Sequence, residues 1–544
     1  MFDLLIKNAV IIDGSGNERY RSEIGIVGDR IAKIAPSITD DAKEIIDARE
    51  NVVCPGFIDA HGHSDFTLFV NNKGESKIRQ GITTEVTGNC GFTAGPITDE
   101  HKDDLVYYLA NTIVFSDEQR KNWNWKTQCE FLKHTAKDGI SFNIAPLVGQ
   151  GMIRVGVMGF DDRMPKNSEL DKMKEMLKNE LDQGFFGMSM AFAYEPGTFM
   201  QDEESIELCK LLKEYDAVYT VHLKDQGKDL LSSVNQVIEI ARQSGCRAVV
   251  SHLKAKYKAN WGKTKEAIEL IQAAKKEGLD IGFDVYPYAA YGSALIDLIP
   301  PWIKKEGPRI MCEKLKNDEI RQKVIYDMEN SIPGWETIMN SDGWENLVQI
   351  ASLRTEKNKP CEGKLIGEIA KERGLTPYET VVNLVIEEDA SVKCIWFAMD
   401  ENEVIEIMKH PSAMFGTDGR ASATYGPLSK GAVHPRYYGT YPRIMGHYVR
   451  DKKELSLEDA IMKSTSSVAK HFRIENRGLI KEGNYADLVI FSPEKIRETS
   501  SFANPHCYPL GIEFVVVNGK TVIKNGEHTG NLPGKILKKS LPAK

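Results

Sequence analysis

The sequence predicts an α/β protein: a TIM-like (β/α)8 barrel, a small β-sandwich built from both ends of the chain, and a helical insertion. Three observations predict it. Eight short apolar runs recur along the middle of the chain, at 51–59, 83–89, 142–149, 185–192, 217–223, 247–252, 279–286 and 413–417. Several segments between them carry apolar residues at helical spacing. The two ends instead give short β-like runs bounded by turn residues.

The N-terminal end reads as strands in "DLLIKNAVIIDG" and "SEIGIVGDRIAKIA". The C-terminal end reads as strands in "YADLVIFS" and "IEFVVVNGKTVIKNGEH", where Asn518-Gly519 between apolar runs signals a tight hairpin. Neither end has enough strands for a stable sheet alone, so a sandwich from 1–54 with 477–544 is expected. The barrel is expected over 55–476. In "KDLLSSVNQVIEIARQSG", Leu230, Val234, Val237, Ile238 and Ala241 fall on one helical face; in "SELDKMKEMLKNELDQG", Leu170, Met173, Met176, Leu177 and Leu181 do the same. A doubly wound open sheet is the alternative, but no G-x-G-x-x-G follows an early strand. The seventh run ends near Tyr288 and the eighth begins near Ala413, more chain than one crossover helix needs. "PPWIKKEGPRIMCEKLKNDEIRQKVIYDMEN" looks helical, so a helical lid is expected over 289–350, above the C-terminal ends of the strands.

The bulk numbers narrow the class. At 544 residues, with 41% hydrophobic and 27% charged residues, the chain suits a globular protein of more than one domain. A net charge of −8 argues against a large nucleic-acid footprint. No run of apolar residues is long enough for a membrane span, and "MFDLLIKNAVIIDG" lacks the features of a signal peptide. Nine cysteines without paired spacing point to a reducing cytoplasm. No oligomeric state follows from any of this. A small-molecule substrate is the expected partner.

Chemistry gathers at the strand ends. His61 and His63 follow the first run in "CPGFIDAHGHSD", Cys90 ends the second in "EVTGNCG", and His222 and His252 end the fifth and sixth. Asp418 ends the eighth in "MFGTDGR". Barrel enzymes place catalytic groups on that face, and imidazole, thiolate and carboxylate are the ligands zinc takes. Singly, each has an ordinary reading: a hydrogen-bonded histidine, a buried thiol, an Asp-Gly turn. Together they could hold one zinc, or two sharing a bridge.

"PGFIDAHGHSD", "TGNCG", "VSHLK", "DVYPY", "PPWI", "GTDG" and "HPRYYGTYPR" resemble the N-acyl-D-amino-acid deacylases, or D-aminoacylases, of the amidohydrolase superfamily, as do "RGLIKEGNYADLVIFSPE" and "VVVNGKTVIKNGEHTGNLPG". The likeness implies an amidohydrolase barrel and a zinc-dependent hydrolase of linear amides, releasing a carboxylate and a free D-amino acid. It implies that Cys90, His222 and His252 hold a tight zinc, and that His61, His63 and Asp418 line a weaker second position. Asp418 is the expected base and acid for the proton. Arg436 matches the family's carboxylate-binding arginine, Lys254 and Tyr286 its supporting contacts, and Tyr194 a tyrosine near the scissile carbonyl. The chain departs from the compact members in its long 419–435 loop, in Leu-Lys-Asp after His222, and in Glu195. The stretch "AAYGSALIDLIPPWI" brings no cation before Lys304, which favours a neutral or hydrophobic amino-acid side chain. A cyclic-amide or dipeptide hydrolase is the alternative activity, and a metal-free scaffold the non-enzymatic one.

Overall fold

Eight strands form one parallel sheet: Phe57–Asp59, Ile82–Thr87, Asn143–Gly149, Gly187–Ala191, Val218–His222, Arg247–Val250, Ile281–Val285 and Ala413–Phe415, each beside the next in chain order. The structure is a computed structural model and describes residues 1–110, 123–304, 307–333 and 335–541. Nearly every strand residue is buried, as a parallel sheet covered on both faces requires. Backbone bonds join the eighth strand's end to the first: Ala60 N–H to Phe415 O (3.1 Å), Asp418 N–H to His61 O (2.8 Å) and His63 N–H to Gly419 O (3.0 Å). The sheet is thereby a (β/α)8 barrel, with each predicted run on a barrel strand.

The crossover helices pack as their spacing predicts. Over Leu230–Ser244 the side chains of Leu230, Val234, Val237, Ile238 and Ala241 are all buried. On Asn167–Asp182, Met173, Leu177 and Leu181 are buried, while Leu170 and Met176 are only partly covered.

The two ends of the chain share a nine-stranded sheet. Its first strand, Phe2–Ile11, pairs with Ala42–Asp47 over its first half and with Val52–Pro55 at its end. The change of partner coincides with a register shift between Ile6 and Ala9, where Asn8 takes a φ of 53°. Ile6, Ile26, Ile46, Leu488, Ile490 and Val516, from both ends of the sequence, fill one core separate from the barrel's. The hairpin at Asn518-Gly519 joins Ile512–Val517 to Lys520–Lys524; both turn residues have positive φ (47° and 74°), the type I′ requirement.

The insertion differs from the expectation in kind and extent. Helices at Pro301–Lys304, Pro308–Lys314 and Asp318–Asn330 are there, but a three-stranded antiparallel sheet of Tyr291–Ala294, Val348–Ser352 and Lys393–Trp396 accompanies them. The inserted chain therefore runs well past residue 350, and Glu401–Lys409 is the helix that returns to the eighth strand. Among the described residues, no helix is long and apolar enough to cross a membrane.

Candidate metal centre

The strand ends bring six expected residues into one cluster. Cys90 Sγ lies 3.4 Å from His61 Nε2, 3.7 Å from His222 Nδ1 and 3.6 Å from His252 Nε2. Asp418 Oδ1 lies 3.2 Å from His63 Nε2 and 3.8 Å from His61 Nε2. Three ligand-like groups result: His61, His63 and Cys90; Cys90, His222 and His252; His61, His252 and Asp418. His61, Cys90 and His252 each belong to two of these groups.

The donors fit a zinc-sized ion. Bonds of about 2.3 Å to sulfur and about 2.0 Å to nitrogen at a tetrahedral angle put S and N about 3.5 Å apart. The Cys90 separations match that. Burial works against a charge on His61, but Asp284 and Cys90 together raise its imidazole well above the usual histidine range. Burial would raise the Cys90 thiol, but charged His61 and hydrogen bonds from His222, His252 and His61 hold it well below the usual thiol range. A thiolate is the form that binds metal.

The backbone carries strain at these positions. Cys90, His252 and Asp418 take φ of 55°, 37° and 45°, a left-handed region costing a non-glycine residue about 1–3 kcal/mol. The side chains are re-aimed from the barrel wall toward one point.

Neighbouring groups orient the ligands. Asp284, on the seventh strand, accepts His252 N–H at Oδ1 (2.9 Å) and faces His61 Nδ1 at Oδ2 (3.4 Å). It contacts two of the clustered histidines at once and was not among the expected site residues. Its signal is an acidic residue inside an otherwise apolar strand. Gln226 Nε2 (3.2 Å) and Lys254 Nζ (2.9 Å) both face His252 Nδ1. Burial pushes the Lys254 ammonium well down. Lys254 and Gln226 together fix the His252 ring, whose Nε2 faces Cys90.

Arg436 is buried beside the cluster. Its Nη2 pairs with Asp418 Oδ2 at 3.1 Å, while Nε and Nη1 have no hydrogen-bond partner among the described residues. The Tyr286 ring lies between Arg436 and Lys254, 4.6 Å from Cζ of the one and 5.2 Å from Nζ of the other. Burial would raise Asp418's carboxyl, but Arg436, His252 and the His63 hydrogen bond hold it well below the usual carboxylate range. Tyr194 follows the fourth strand, stacked on Phe92 (5.2 Å) and edge-on to His222 (5.3 Å). Glu195 is exposed.

The fold and this cluster can be set beside known proteins. The sequence model of the Amidohydrolase family matches residues 362–523. An N-acyl-D-glutamate deacylase of Alcaligenes xylosoxydans xylosoxydans is 30% identical over 539 residues, covering 99% of this chain and 96% of that protein. The chain belongs to the N-acyl-D-amino-acid deacylase family of amidohydrolases. A D-aminoacylase of the same organism is 29% identical, covering 98% of this chain and 97% of its own. The crystal structure of the N-acyl-D-glutamate deacylase from Bordetella bronchiseptica, complexed with zinc and a phosphonate mimic of the tetrahedral intermediate, superposes with a TM-score of 0.81. It is 28% identical and covers 99% of both chains. For a deacylase, the clustered thiol, imidazoles and carboxylate and the arginine with unpaired N–H groups lie at the barrel face where family chemistry is expected.

Proposed function

We propose that the protein hydrolyses the amide bond of N-acyl-D-amino acids with zinc held by Cys90, His222 and His252, His61, His63 and Asp418 lining a second, weaker position. The observation that carries the reading is Cys90 within 3.4–3.7 Å of three imidazoles, with the unpaired nitrogens of Arg436 at the same rim. Zinc there supplies a Lewis acid and brings the pKa of a water toward about 7. The protein's own groups do the rest. Asp418, ionised between His63 and Arg436, takes the water proton and returns it to the departing amine. Arg436 offers its free N–H groups to the substrate's α-carboxylate, which a guanidinium recognises better than a point charge. Tyr286 packs against that guanidinium, Lys254 steadies His252, and Tyr194 donates to the developing oxyanion.

Two variants test the roles. Asp418→Asn should keep the tight zinc and lose about 10²–10⁴-fold in kcat; near-normal turnover would remove Asp418 from the proton path. Arg436→Ala should raise KM on the order of 10- to 100-fold, the worth of a hydrogen bond to a charged group. Wild-type rates that are equal with and without an α-carboxylate on the substrate would sink the clamp.

For the amino-acid side chain the reading stays with neutral or hydrophobic groups. Leu295, Leu298 and Ile299 themselves are fully buried, so this preference rests on the lack of a cation in 289–303. Lys256, after the sixth strand, and Lys304, just past that stretch, are both partly covered. A higher kcat/KM on N-acetyl-D-glutamate than on N-acetyl-D-leucine would overturn it. All nine cysteines are free, which suits the cytoplasmic location we propose.

A further inference from the structure

A charged cluster without a role in that chemistry lies just behind it. Lys77, in the short helix Glu75–Ile78 after the first barrel strand, is fully buried. Its Nζ donates to Asp59 Oδ2 (2.7 Å) and to Thr417 Oγ1 (2.6 Å), and lies 3.2 Å from Glu85 Oε2. Burial would lower the pKa of its ammonium, but Asp59 and Glu85 raise it above the usual lysine range. An ammonium is costly to bury unless it is paired in this way.

The two carboxylates turn outward to grip backbone. Asp59 Oδ1 accepts His61 N–H (3.2 Å) and Thr417 N–H (2.8 Å). Glu85 accepts Ser64 N–H (2.9 Å) and Ser64 Oγ–H (2.7 Å), and Ser64 Oγ in turn accepts Ala421 N–H (2.8 Å). A Cβ on Gly62 would meet Glu85 Oε1 at 2.0 Å, so only glycine admits the carboxylate there. Every bond of this set ends on one of two segments. One carries His61 and His63, the other Asp418. None of these bonds ends on Cys90, His222 or His252, although Glu85 lies on the strand that leads to Cys90 and Asp284 links His61 to His252.

We propose that Lys77 is a positioning residue: through Asp59 and Glu85 it sets His61 and His63 against Asp418, independently of the Cys90–His222–His252 group. The inference rests on the deacylase reading above for what that spacing achieves.

Removing the lysine alone would leave two buried carboxylates facing each other. The charge-matched double variant Lys77→Met/Glu85→Gln keeps the cluster's net charge. Cobalt held by Cys90 adds a thiolate charge-transfer band in the near ultraviolet, and the binding isotherm reads the further equivalents. In the full-length double variant the Cys90 band should persist at wild-type cobalt affinity. Binding of further cobalt should weaken at least tenfold, and kcat should fall at least tenfold with KM within about twofold. Ser64→Ala, a milder cut of the same network, should lower kcat at least threefold with the band intact. The proposal falls if kcat and the weaker cobalt binding are unchanged in the folded double variant, or, should that variant not fold, in Ser64→Ala. It falls equally if the thiolate band is lost together with activity, since Lys77 would then serve the fold as a whole. If wild type turns over no N-acyl-D-amino acid while the weaker cobalt binding still responds to the variants, the deacylase reading falls and the positioning role stands.

Discussion

Cys90 is the residue on which the site turns. It sits in left-handed backbone at the end of the second barrel strand with three imidazoles around its sulfur. Cys90→Ala should abolish tight zinc binding, whereas His63→Ala should leave the first equivalent bound; metal content after dialysis separates the two. Equal zinc loss in both variants would mean that the two metal positions are not distinct. The residues of this cluster were legible because they end apolar runs and are ligand types. Asp284 and the Lys77–Asp59–Glu85 group were not. Each is one charged residue in a buried element, and only the fold shows that Asp59 and Thr417, 358 positions apart, share a hydrogen bond. Arg436 was legible by resemblance alone. Its pairing with Asp418 comes from the path of the 419–435 loop, which no local pattern encodes.

At the scale of elements, long or well-bounded patterns were readable and short ones were not. The barrel strands stand out as apolar runs, and the Asn518-Gly519 turn follows from the φ both residues adopt. The insertion's sheet was missed. Its strands are four or five residues long, and Tyr291–Ala294 pairs with Lys393–Trp396 across a hundred intervening positions. The C-terminal segment was expected only as part of the sandwich, yet it also straps the barrel's N-terminal mouth. Gly534 N–H bonds Ile140 O, Leu537 N–H bonds Ile144 O, Ile144 N–H bonds Lys535 O and Lys539 N–H bonds Gly184 O. Leu537 packs on the core that includes Leu147, Phe186 and Val218. At about 0.5–1.5 kcal/mol per bond, deleting the chain from Pro533 onward should cost several kcal/mol of stability while leaving zinc content per folded protein unchanged. A denaturation midpoint equal to wild type would show that the strap contributes nothing.

Across the whole molecule, one sheet made from both ends closes the chain on itself, and the barrel between them gathers the clustered side chains from five of its eight strands onto one face. The inserted chain rises from the same side, after the seventh strand. That arrangement explains why candidate ligands spread from His61 to Asp418 converge although no short motif contains more than two of them. The central claim is that this face hydrolyses N-acyl-D-amino acids by means of zinc. The most direct measurement is turnover of paired N-acetyl-D- and N-acetyl-L-amino acids by chelator-stripped protein, before and after stepwise addition of zinc. The account predicts no turnover without metal, recovery with the first equivalent, and hydrolysis of the D form over the L form. Full activity in the stripped protein, or hydrolysis of neither form after zinc is restored, would contradict it.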